Sequence, residues 1–206
     1  AHVAVARVTV KACERLRDLA GDRQAAAEAG MLEAVAAAMR AHPQALMVQV
    51  QGLCELHRLC NGADAAVRAR AQRAAAAGFI EVVVAAVRTH QEIPNLVSLG
   101  CISLTAVCGG DDAAGRARKQ RAAEAGAIEA VLEAMRAHPQ AANVQDDGCK
   151  ALLTVCGGGA SAAARARRQR AAQAGGRTVV VGAMQAHPGD IGVQREGQLV
   201  LNALPA

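Results

Sequence analysis

Seven cysteines and six histidines are the side chains of this sequence that could ligate a metal or act as nucleophiles. Their spacing argues against both. Cys101 and Cys108, and again Cys149 and Cys156, stand seven residues apart. On a helix two such sulfurs lie about 10 Å apart along the axis, from a rise of roughly 1.5 Å per residue. Structural metal sites need close cysteine pairs that converge on one point. Cys13, Cys54 and Cys60 belong to the same repeated helix, and the cysteines read as buried, reduced thiols that pack as small apolar groups. That usage suits the cytoplasm or another reducing compartment. His42, His90, His138 and His187 recur at intervals of 48, 48 and 49 residues. Equivalent residues on packed helical layers lie about 8–10 Å apart, too far to share an ion. Each histidine instead marks a helix end, where a hydrogen-bonding or cationic group suits the orphan carbonyls. No catalytic residue, metal or cofactor is expected.

The basic residues form a ladder with the same period. Arg68, Arg70 and Arg73, then Arg116, Arg118, Lys119 and Arg121, then Arg165, Arg167, Arg168 and Arg170 make up eleven of the 23 lysines and arginines. They concentrate the formal net charge of +5 on one repeated helix. Positions i, i+2 and i+5 spread widely around a helical wheel, so the ladder reads as a solvated, salt-bridging face. A cationic ridge for acidic or phosphate-bearing partners, carried by Arg70, Arg73, Arg118, Arg121, Arg167 and Arg170, is the sharper reading. Aromatic stacking platforms are absent, Phe79 being the one aromatic residue, which argues against nucleic acid as a partner.

The elements that carry these groups follow from the period itself. Gly30, Gly78, Gly126 and Gly175 each follow an alanine, and nine residues later comes Met39, Val87, Met135 or Met184. A second glycine series, Gly52, Gly100, Gly148 and Gly197, keeps the same phase. A period of this length signals a stacked array. Ile128, Val131, Leu132 and Met135 fall on one helical face, as do Cys149, Leu152, Leu153 and Cys156. Ala-His-Pro breaks the chain between them, and Ala-Gly ends the preceding helix. The spacing predicts helices over 112–125, 127–137 and 142–156. The second copy moves its proline to Pro94, so its loop should differ in shape, and the last copy has Gly176 and Arg177 in place of Ala127 and Ile128.

At these residues the chain resembles the armadillo repeat family. The alanine-rich first helix closing on Ala-Gly, the second helix Ala-Ile-Glu-Ala-Val-Leu-Glu-Ala-Met, the loop proline and a third helix of the form Gly-Cys-x-Ala-Leu-x-x-Val-Cys carry the likeness over nearly the whole length. The resemblance implies an all-α, right-handed α-α superhelix of about four three-helix repeats. A single solenoid over 1–206 divides into a partial repeat over 1–21 and repeats over 22–60, 61–108, 109–156 and 157–206. From Leu19 to Gly30 is 11 residues but from Leu59 to Gly78 is 19, so the later repeats carry an insertion before the first helix.

In that family the third helix lines a concave groove. Where members hold extended peptides, an asparagine recurs at the places filled here by Asp18, Arg58, Ala106, Thr154 and Ala203, and the accompanying tryptophans are missing too. The rows Val50-Cys54-Arg58, Ser98-Ile102-Ala106, Asp146-Lys150-Thr154 and Arg195-Leu199-Ala203 differ from one another while the core positions barely change. Arg58, Ser98, Asp146, Lys150, Thr154 and Arg195 are therefore the candidate partner-binding residues of this face.

The expected function is a non-enzymatic protein-binding or scaffold module, its partner a protein of acidic character in the ridge reading. A structural subunit of a larger complex, held by its ridge and its repeat ends, is the alternative. Recurring polar residues point along rows instead of converging, as catalysis requires, and no 18-residue uncharged apolar run offers a membrane span. Neither end reads as a polar cap, which suggests a fragment of a longer array. Ala1 leaves room for an upstream targeting segment.

Overall fold

The computed structural model describes residues 30–62 and 64–205. Among the described residues there are eleven helices and no strand. The first layer contributes α1 (Met31–Ala41) and α2 (Leu46–Cys60). The second holds α3 (Ala65–Ala76), α4 (Phe79–Thr89) and α5 (Pro94–Cys108). The third holds α6 (Ala113–Glu124), α7 (Ala127–Ala137) and α8 (Ala142–Cys156). The fourth holds α9 (Ala162–Gln173), α10 (Gly176–Ala186) and α11 (Ile191–Ala203). In the third layer the helices lie within a residue of the expected spans. The partial repeat over 1–21, the first helix of the 22–60 repeat, Cys13 and Asp18 lie outside the described residues.

Each boundary has a local cause. Gly30, Gly78, Gly126 and Gly175 adopt φ between 79° and 85°, and at the last three this left-handed conformation lets one helix stop and the next begin within two residues. The first helices start on side-chain caps: Asp64 accepts from the Val67 amide, Asp112 from Gly115 and Ser161 from Ala164. The displaced proline of the second copy becomes the first residue of α5, where its missing N–H costs nothing.

Layers pack through their third helices, α2 on α5, α5 on α8 and α8 on α11, with second helices beside them. Leu53, Leu56, Ile80, Leu104, Ile128 and Leu132 are fully buried along this spine. The second glycine series sits where the second and third helices of one layer touch. A Cβ built on Gly52 would come 2.3 Å from Met39 Sδ, and one on Gly100 would come 2.4 Å from Val87 Cγ2. Recurring glycine and recurring Met or Val are thus two halves of one close contact.

Candidate partner-binding face

The six arginines singled out in the basic ladder meet two fates. Arg70, Arg118 and Arg167 turn inward, with only 6%, 3% and 3% of their surface exposed. Arg118 Nε donates to Val107 O at 2.7 Å, Nη2 to Gly109 O at 2.8 Å and Nη1 to Gln72 Oε1 at 2.9 Å. Arg167 repeats this with Val155 O, Gly157 O and Gln120 Oε1, and Arg70 Nε reaches Leu59 O. Each guanidinium covers the carbonyls left open at the end of a third helix, and Arg118 and Arg167 also hold a glutamine of the preceding layer.

The second fate is an ion pair across layers. Arg73 meets Glu33, Arg121 meets Glu81 and Arg170 meets Glu129, each with two nitrogens on two oxygens. Arg121 and Arg170 also donate to Ala75 O and Ala123 O. The hydrogen bond from Arg73 holds the Glu33 carboxyl below its ordinary pKa. These pairs are between a quarter and a half exposed, so each contributes no more than about 1 kcal/mol.

Burial of Arg70, Arg118 and Arg167 departs from both readings of the ladder, whereas Arg73, Arg121 and Arg170 form the half-exposed, salt-bridging face. A side chain two positions from an exposed one, as Arg118 is from Arg116, points to a different side of the helix. The wheel shows that divergence but not what lies on each side.

Two more recurring groups join the layers. His90 Nε2 lies 2.8 Å from Pro43 O, His138 Nε2 2.6 Å from Gln91 O and His187 Nε2 2.9 Å from Pro139 O. A carbonyl only accepts, so each Nε2 carries the proton. The rings therefore bridge to the loop of the preceding layer, where an end cap for their own helix was expected. Arg40, Arg88 and Arg136 reach forward to Ala77 O, Gly126 O and Ala174 O. Within layers, Gln49, Gln145 and Gln194 each donate from Nε2 to two carbonyls at the end of the second helix. Val97 occupies this place in the second layer, the one with the altered loop.

On the third-helix face the recurring pattern gives way to unlike groups. Ser98 donates from Oγ to Asp147 Oδ2, linking α5 to α8. Lys150 Nζ lies 2.5 Å from Asp146 Oδ2 and 3.8 Å from Asp147 Oδ1. Arg58 Nε donates to the buried Glu55 at 2.8 Å, and Arg195 pairs with Glu196 at 2.6 Å. Burial pushes the Asp147 carboxyl above its ordinary pKa, against the opposing pull of the Ser98 hydrogen bond and the Lys150 charge.

A cavity of about 440 Å³ opens between α2, α5 and α8 beside this cluster, lined by His57, Cys60, Ile102, Ala106, Asp147 and Lys150 among others. Among the described residues, His57 Nδ1 at this cavity, Arg58 Nη2 one residue further along α2 and Asp146 Oδ1, which faces Gly192 of α11, are buried without a hydrogen-bond partner. Of the six residues chosen from the rows, Ser98, Asp146 and Lys150 come together. Arg58 sits on the neighbouring helix, Thr154 further along α8 and Arg195 on the next layer. Asp147 and His57 were missed. They stand one place off the rows, and their counterparts differ in every layer: Gln51, Leu99 and Glu196 for the first, Thr105, Leu153 and Asn202 for the second.

Cys60, Cys101, Cys108, Cys149 and Cys156 are buried free thiols. Burial pushes the first four up to about 12 and Cys156 up to about 11. Cys54 departs from the expected burial, because its place on α2 faces outward. Among the described residues no three metal-ligating side chains gather, and no helix is long and apolar enough to cross a membrane. No family model matches the sequence, and neither the curated proteins nor the solved structures contain a match.

Proposed function

We propose that the chain is a non-enzymatic binding module, an armadillo-type right-handed superhelix whose third-helix face takes a protein partner. One observation carries this reading. Most polar groups that recur from layer to layer are engaged between layers, Arg116 and Arg165 being exposed, whereas Ser98, Asp147 and Lys150, which change, meet on the third helices beside an open cavity. Glu55, Asp146, Asp147 and Glu196 nearly balance Arg58, Lys150 and Arg195 there. The partner segment for this face is therefore polar and near-neutral, not strongly acidic. Buried thiols with raised pKa values fit a reducing compartment.

Peptides selected from a displayed library against the folded chain test this. They are expected to lose affinity at least about tenfold on Lys150→Glu or Ile102→Asp and to be indifferent to Arg116→Gln. Selection that returns no binder, or binders insensitive to both groove variants, overturns the reading.

The second reading, a subunit fixed in a larger assembly, draws support from α10. Val181 is 39% exposed where its counterparts Val84 and Leu132 are 3% and 0% exposed. Stoichiometric retention of the chain in a large particle favours this reading, and its release as a free chain counts against it.

A further inference from the structure

The third and fourth layers differ at one ion pair. In the third layer Asp111, the residue before the cap of α6, meets Lys119 on that helix at 2.6 Å. Counting from the caps Asp112 and Ser161, the same two places in the fourth layer hold Ala160 and Arg168. The local geometry is otherwise repeated: Arg116 donates to the carbonyl of Asp111, and Arg165 donates to the carbonyl of Ala160. Arg168 thus stands where a lysine finds its carboxylate, and that carboxylate is absent.

Neutral oxygens satisfy its N–H groups without cancelling its charge. Arg168 donates to Cys156 O and Gly159 O, and the buried Arg167 beside it donates only to carbonyls and Gln120. From Gly157 to Gln173 the chain has four arginines and no acidic residue, and among the described residues only Arg170 of the four has an ion-pair partner, Glu129. Ser161 caps α9 where Asp64 and Asp112 cap the two earlier first helices, so this helix start also lacks its own negative group. Arg116 adds a further cation from the preceding layer, because a Cβ on Gly158 would lie 3.6 Å from its Cγ. The three glycines of the loop, 157–159, put no side chain in the way.

We propose that this loop and the flanking Arg116, Arg165 and Arg168 bind an acidic segment of a partner protein. One of the partner's carboxylates takes the place that Asp111 fills in the layer before. Equivalent groups on adjacent layers lie about 10 Å apart, which an extended chain covers in about three residues. A peptide with a carboxylate at every third position meets Arg165, one turn before Arg168, and its equivalent Arg116 in turn. Nucleic acid finds no exposed aromatic side chain here, since Phe79 is buried. A lipid surface finds no apolar anchor, because the large exposed apolar residues, Leu46, Met47, Val181, Ile191 and Leu199, lie on second and third helices. This surface is distinct from the third-helix face, and the proposal stands or falls independently of it.

Fluorescence anisotropy of a labelled extended peptide with glutamate at every third residue tests it at low ionic strength. Ala160→Asp supplies the missing carboxylate from within, in the geometry already seen for Asp111 and Lys119, so the variant folds. Saturable binding that weakens about twofold to fivefold in Ala160→Asp and in Arg168→Gln is expected, the size of one exposed ion pair. Equal binding by Ala160→Asp and the parent overturns the proposal. So does an equal loss from Arg68→Gln, two layers away, which marks diffuse attraction to net charge.

Discussion

Replacing Arg118 by alanine is expected to lower stability by on the order of 3 kcal/mol, read as a fall in the urea midpoint with little change in slope. The substitution strands Val107 O, Gly109 O and the Gln72 side chain in a site where the guanidinium itself is 3% exposed. Buried acceptors left without donors cost more than the hydrogen bonds contribute while intact. Lysine at this place should rescue little, because one ammonium cannot reach three acceptors arranged around a planar fork. Arg116→Ala, two residues away and exposed, should stay within about 0.5 kcal/mol of the parent. Layers of a repeat array loosen one against the next, so the loss should appear first as early opening between the second and third layers.

Alanine at Gly100 should also destabilise, which reverses the usual sign. Inside a helix, glycine to alanine normally gains up to about 1 kcal/mol. Here the new Cβ would lie 2.4 Å from Val87 Cγ2, and a β-branched side chain has few rotamers into which to retreat. The expected net loss is about 2 kcal/mol, in the range of an overpacked core. Val87→Ala opens the space, so the double variant should be more stable than Gly100→Ala alone. Strict additivity of the two changes would show that the helices do not meet at this pair. At Gly148 the facing atoms belong to the flexible Met135, whose Cγ would be 2.7 Å away, and the penalty should be smaller.

The helices were legible because their punctuation repeats. Glycine with positive φ, a histidine at the helix end and a nearby proline mark each layer, and the apolar spacing between them is helical. What the arginines touch was not legible from their own helix. Arg116, Arg118 and Arg121 point in three directions, and the carbonyls, glutamine and carboxylate that meet them come from other helices. A signal was nevertheless present. Glu33, Glu81 and Glu129 recur in phase with Arg73, Arg121 and Arg170, and Gln72 and Gln120 recur in phase with Arg118 and Arg167. Reading polar residues in pairs across the period would have separated the joints from the surface. Asp147 and His57 had no such signal, because nothing in the other layers matches them. The Ser98 to Asp147 contact becomes visible only when α5 and α8 are set side by side.

The claim on which the account rests is that the recurring arginines hold layers together while their neighbours meet solvent. Native-state labelling with an arginine-selective dicarbonyl, resolved residue by residue by mass spectrometry, tests it most directly. Arg118 and Arg167 should stay unlabelled until urea unfolds the chain, while Arg116 and Arg165 react at once. Labelling of Arg118 in the folded chain as fast as Arg116 would contradict the account and return these side chains to an open cationic surface.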